Sequence, residues 1–146
     1  NQGYHVNVTE KAGEYFLTMS KPACSDLGCR QETSLSNDII YVSTDKMGQG
    51  SDDLGKVLIK GYFYALTEVK PYPKAILFVN SGVCLTTEGS EVLGHLKILA
   101  DQGVEILSCG TCLDFFQLKE KLAVGSVTNM YTIVEIMNKA AKVIRV

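Results

Sequence analysis

The chain has 146 residues, 46% hydrophobic and 21% charged, with a formal net charge of −2. That composition suits a globular fold with one full core and, at most, a small appendage. A near-neutral balance without a Lys/Arg block argues against nucleic acid or an anionic membrane as partner, and no apolar run reaches the roughly 18 residues of a membrane span.

Residues 4–20 alternate polar and apolar in two runs, "YHVNV" and "YFLTM", joined by the Lys11-Ala12-Gly13 bend, which predicts a β-hairpin over residues 1–20. A lone hairpin is marginal in water and wants a partner. Residues 21–37, "KPACSDLGCRQETSLSN", mix Pro, Gly, Ser and charge and read as a linker. The chain begins Asn1-Gln2-Gly3 without an initiator methionine, so it is expected to be part of a longer protein.

From Asp38 onward the pattern changes. Ile39–Ser43, Ala75–Asn80, Val104–Ser108 and Lys142–Val146 are short apolar or β-branched runs, with a weaker fifth at Ala123–Val127. Helical patterns separate them. The longest places Leu54, Val57, Leu58, Gly61, Tyr62, Ala65, Leu66 and Val69 on one face. Val92, Leu96 and Leu99 mark a second helix, Leu113 to Leu122 a shorter one, and Met130, Ile133, Val134 and Met137 another. Strand–helix alternation with continuous apolar strands predicts βαβ units. The expected fold over residues 38–146 is a three-layer α/β/α sandwich around a mostly parallel five-stranded sheet.

In such a sheet, sites form beyond the carboxyl ends of the strands. The strand-to-helix loops there are "STDKMGQGSDD", "NSGVCLTTEGS", "SCGTC" and "VTN", rich in Gly, Ser, Thr and Asn and carrying three of the five cysteines. Gly48-Gln49-Gly50 resembles a phosphate loop only superficially. No Lys-Ser/Thr follows, and Asp52 and Asp53 would repel phosphate, so Ser51 reads as a helix N-cap instead. Asn80, Ser81, Gly82, Cys84 and Asn129 lie on this rim and are candidate substrate-binding residues.

Five cysteines are an odd number, and a chain with a real core does not need them as a disulfide scaffold. No secretory signal pattern opens the chain, so a reducing, cytoplasmic setting is expected, in which a close thiol pair is catalytic, metal-binding or simply packed. Cys109-Gly110-Thr111-Cys112 is that pair. Cys109 sits at a strand end and Cys112 in the first turn of a helix, where free N–H groups and the helix field lower a thiol pKa. Gly110 removes bulk beside Cys109, leaving room for an incoming sulfur. Zinc is disfavoured: C-x-x-C supplies two ligands of four, and Cys24 and Cys29 belong to a linker. Neither metal nor cofactor is therefore expected. Thioredoxin-type exchange is disfavoured because no proline is placed opposite the motif.

The phrases "YVSTDKMGQGSDDLGKVLIKGYFYALTEV", "FVNSGVCLTTEGSEVL", "GVEILSCGTCLDFF" and "LAVGSVTNMYTIVE" together resemble the C-terminal domain of YedF-type selenium-metabolism proteins, within the DsrE/DsrF-like sulfur-relay superfamily. The resemblance spans residues 38–146. It implies a sulfur- or selenium-trafficking domain, a sulfurtransferase or sulfur carrier, with a persulfide on the strand-end cysteine, Cys109; Cys112, close in sequence, is expected to resolve it. It also makes the hairpin look like the closing strands of a TusA/SirA-like domain whose Cys-Pro-x-Pro motif is not in this sequence. The implied partners are donor and acceptor proteins for sulfur or selenium, and the implied assembly is a homo-oligomer. Two alternatives stay open: a non-catalytic module binding a ligand or partner, and a thiol redox switch.

Overall fold

The computed structural model describes residues 5–11, 14–20 and 35–146. The Ala12-Gly13 bend, residues 21–34 of the expected linker, and Cys24 and Cys29 within it lie outside the described residues. The chain divides into two compact units, Asn1–Gln31 and Glu32–Val146.

In the first unit, β1 (His5–Lys11) and β2 (Glu14–Ser20) pair antiparallel from His5↔Ser20 to Lys11↔Glu14. The pairing is a little longer than the two alternating runs suggested.

The described residues of the second unit form five strands, β3 (Asp38–Val42), β4 (Ala75–Phe78), β5 (Glu105–Cys109), β6 (Ser126–Thr128) and β7 (Lys142–Arg145), in the order β6-β5-β4-β3-β7. Every pairing is parallel, with Ile39 opposite Ala75 and Val143, Phe78 opposite Ser108, and Cys109 opposite Thr128. Four helices connect them: α1 (Asp52–Glu68), α2 (Leu93–Asp101), α3 (Gly110–Phe115) and α4 (Met130–Lys139). The sandwich is the one expected.

Side chains alternate across a strand, and the core divides accordingly. Ile40, Val42, Ile76, Phe78 and Ile106 pack with Ile59 and Phe63 of α1 and Leu96 and Leu99 of α2. Ile39, Ala75, Leu77, Val79 and Cys109 pack on the other face with Ile133 of α4. The three central strands carry the buried residues. The edge strands β6 and β7 have mostly exposed side chains, so their apolar patterns were short and weak.

Two helices differ from expectation. On α1 the buried positions are Gly55, Ile59, Phe63 and Thr67, whereas Leu54, Val57 and Val69 are 56%, 63% and 62% exposed. Apolar residues run most of the way round this helix, so periodicity alone had two solutions. The Phe63 ring decides between them by stacking on Phe78 with centroids 6.0 Å apart. The loop before α1 adds to this: Met47 N–H donates to the Gly55 carbonyl at 3.0 Å, and a Cβ at Gly55 would meet Lys46 Cβ at 3.0 Å. Ser51 caps α1 as expected, accepting from Leu54 N–H at 3.4 Å.

The helix expected over Leu113–Leu122 stops at Phe115 and resumes as a 3₁₀ turn at Lys119–Lys121. Gln117 takes a left-handed conformation (φ 56°), its N–H bonds the Asp114 carbonyl at 3.1 Å, and Leu118 N–H bonds the Leu113 carbonyl at 2.8 Å. That is a Schellman closure, usually marked by glycine. Glutamine in that place left no stop signal to read.

Candidate functional site

The carboxyl ends of β4 and β5 hold the thiol pair. Beyond β4 the chain enters a 3₁₀ segment, Asn80–Thr86, and beyond β5 it turns directly into α3. Cys109 is both the last residue of β5 and the N-cap of α3. Its side chain is 2% exposed, in the cluster with Leu77, Val79 and Ile133. Cys112, three residues on, returns over the same side of the turn. It is partly exposed, and the three-residue spacing brings it back beside Cys109. Both are free thiols.

Asn80 completes this arrangement. Its backbone is left-handed (φ 50°), and its N–H donates to Cys112 Sγ at 3.1 Å. Asparagine is among the few residues that take this conformation readily.

The Cys112 thiol is pushed up from its ordinary value, first by burial and then by its hydrogen bond with Cys109, while the Asn80 N–H pulls the other way. For Cys112, at the start of this six-residue helix, burial is the largest influence and acts against the lowering expected of a helix start.

Gly110 also differs from expectation. A Cβ there would meet Val127 Cγ1 at 3.0 Å and the Thr128 carbonyl at 3.4 Å. The space left by the missing side chain is filled by β6 rather than kept open for a donor.

Other rim residues are structural ties. Ser81 Oγ accepts from Asp45 N–H at 3.3 Å and donates to Asp45 Oδ1 at 3.2 Å, which joins the loop after β3 to the 3₁₀ segment. Gly82 lies so close to β3 that a Cβ would sit 2.5 Å from the Val42 carbonyl oxygen. Asn129 caps α4, accepting from Thr132 N–H at 2.9 Å. Cys84 lines a cavity of about 430 Å³ with Lys56, Lys60, Thr87, Ser90 and Val92. Its thiol is pushed up by burial and by the charge of Asp45.

Two positions escaped the sequence reading. Thr86 and Ser108 are fully buried with their hydroxyl oxygens 2.9 Å apart, and Thr86 also donates to the Val83 carbonyl at 2.8 Å. They pin the end of β5, one residue before Cys109, to the 3₁₀ segment. The readable signal was a serine closing an otherwise apolar strand. Among the described residues no three His, Cys, Asp or Glu side chains gather as a metal would require, and no helix is long and apolar enough to cross a membrane.

The model of the DsrE/DsrF-like family matches residues 65–146, more than half of the chain, including β5, α3 and both thiols. The chain belongs to the DsrE/DsrF-like family. The fold is similar to that of the ychN protein from E. coli (14% identity, TM-score 0.53), over 75% of this chain and 98% of that one. It is also similar to MTH1491 from Methanobacterium thermoautotrophicum (18%, 0.55, over 75% and 97%) and to BT1422 from Bacteroides thetaiotaomicron (15%, 0.54, over 75% and 95%), both described as proteins of unknown function. At these identities the likeness concerns the fold. No curated protein matches the chain.

Proposed function

We propose that this domain carries sulfur or selenium between partner proteins, held as a persulfide or its selenium analogue on the Cys109/Cys112 pair. Family membership supports the relay role, since DsrE-type proteins act in sulfur relay with partner proteins. The observation that carries the reading is local: a main-chain N–H aimed at Cys112 Sγ at 3.1 Å, with a second thiol three residues away at the end of the same strand. That hydrogen bond works against the burial that pushes Cys112 up, and so favours the thiolate, the nucleophile in sulfur transfer.

The chemistry needs no cofactor. A protein thiolate attacks the outer sulfur of a donor persulfide R–S–SH, the donor's S–S bond breaks, and R–S⁻ leaves. The protein then holds Cys–S–SH. An acceptor thiolate repeats the exchange on the outer sulfur and restores the cysteine.

The resemblance to YedF-type proteins supports selenium as well as sulfur, the hairpin at β1 and β2 as part of a TusA/SirA-like module, a cytoplasmic setting and assembly of like chains. Phe115, Val127, Met130 and Tyr131, exposed by 80%, 45%, 54% and 81%, lie on the elements flanking the pair and suit a relay that docks proteins.

The test is turnover. The chain is incubated with glutathione persulfide bearing labelled outer sulfur and with an acceptor thiol. Transfer should be faster with the protein, and the Cys109→Ser/Cys112→Ser double variant should abolish the gain. Undiminished transfer by that variant would exclude the pair. No transfer, with rapid oxidation of the pair to a disulfide, would favour the redox switch.

A further inference from the structure

The two thiols of the pair differ in the ways that matter for receiving a sulfur atom. A persulfide donor must bring its outer sulfur into contact with the attacking thiolate, in line with the bond that breaks. Cys109 is 2% exposed, beneath α4. Its one bare neighbour, Gly110, offers no path inward, because Val127 occupies that side. As N-cap it accepts no hydrogen bond from the first turn of α3. Cys112 is partly exposed and has the Asn80 N–H at 3.1 Å.

We infer that Cys112 is the thiol that receives the outer sulfur, and that Cys109 is the inner thiol that displaces it. This rests on the sulfur-carriage reading above and reverses the order expected from the sequence, in which Cys109 carries and Cys112 resolves.

The steps balance. Cys112–S⁻ takes the outer sulfur of R–S–SH and R–S⁻ leaves. The product is Cys112–S–SH, and Cys109, giving up its proton, attacks its inner sulfur as the thiolate. The Cys109–Cys112 disulfide forms, the bond to the outer sulfur breaks, and HS⁻ leaves with the proton it already carried, while the Cys109 proton passes to solvent. The two electrons that leave with the sulfide are returned by a dithiol reductant, which resets the pair. An acceptor thiol arriving before Cys109 attacks would take the sulfur instead. Burial of Cys109 thus sets how long the cargo waits for a partner, and selenium would follow the same path and leave as selenide.

The experiment uses the full chain, reduced, then exposed to glutathione persulfide, quenched with an alkylating agent and mapped by peptide mass. Thermal melts check that each serine variant is folded. Cys109→Ser should accumulate a persulfide on Cys112 and release no sulfide. Cys112→Ser should take up sulfur at least about tenfold more slowly than the native chain. The native chain should release one sulfide per protein and end as the disulfide. If Cys112→Ser holds a persulfide on Cys109 at the native rate while Cys109→Ser takes none, the order is wrong and sulfur carriage stands. If neither cysteine takes up sulfur in any of the three proteins, carriage falls and this order with it.

Discussion

Asn80 shows how one backbone conformation can serve a thiol. Its φ of 50° is what points its N–H at Cys112 Sγ, and the side chain contributes only tolerance of that conformation. Asn80→Gly should therefore leave Cys112 alkylation unchanged. Asn80→Val, a β-branched residue in left-handed space, should cost about 1–2 kcal/mol in urea melts and slow alkylation. Equal rates in both variants would show that the N–H does not matter. The raised Cys112 thiol fixes the sign of its pH dependence. Only the thiolate reacts, and a raised pKa postpones its formation, so alkylation should climb about tenfold per pH unit from pH 6 to 8 without levelling. A plateau below pH 7 would contradict the burial of this thiol. The C-x-x-C spacing made the pair itself legible in the sequence. Which thiol is exposed was not, because that depends on α4 and Val127, far along the chain.

Between elements, the Thr86–Ser108 pair ties β5 to the 3₁₀ segment that carries Asn80. Its hydrogen bonds are unequal. Thr86 keeps its bond to the Val83 carbonyl when Ser108 is lost, but Ser108 has no other partner when Thr86 is lost. Ser108→Ala should cost about 1 kcal/mol and Thr86→Val about 1–3 kcal/mol, because the latter strands a buried hydroxyl. The reverse order in denaturant melts would mean the pair donates the other way. On α1, Phe63→Ala and Ile59→Ala should each cost about 2–5 kcal/mol, while Leu58→Ala, at a residue 45% exposed, should cost well under 1. The reverse pattern would restore the helix face that periodicity suggested. That face was misread because Ile59 and Phe63 were not singled out from the many apolar residues of α1. The end of α3 was misread because Gln117 stands where a glycine would have signalled it.

Across the whole chain, alternation and strand composition were enough to read the sandwich, since β3, β4 and β5 are buried on both faces and so apolar at nearly every position. Where the α/β unit begins was harder to read. Ser36 N–H bonds the Tyr72 carbonyl at 2.7 Å, Ala141 N–H bonds the Asn37 carbonyl at 2.9 Å, and Asn37 Nδ2 donates to the Lys139 carbonyl at 3.2 Å. Two of these ties are between backbone groups and carry no compositional mark, and the segment reads as linker. Removing residues 1–31 should leave a single cooperative urea transition, and extending the removal through residue 37 should lower the midpoint and cost about 1–3 kcal/mol of stability. Loss of cooperativity on the shorter removal would make the first unit part of the same fold. The claim that the pair at the end of β5 is what holds the cargo is met most directly by intact mass. Exposed to glutathione persulfide and compared with untreated protein, the Cys109→Ser/Cys112→Ser variant should gain no sulfur. The Cys109→Ser single variant, with Cys84, Cys24 and Cys29 still present, should gain the mass of one sulfur atom that a reductant removes. A sulfur adduct of equal yield in the double variant would place the cargo on another cysteine and contradict the assignment.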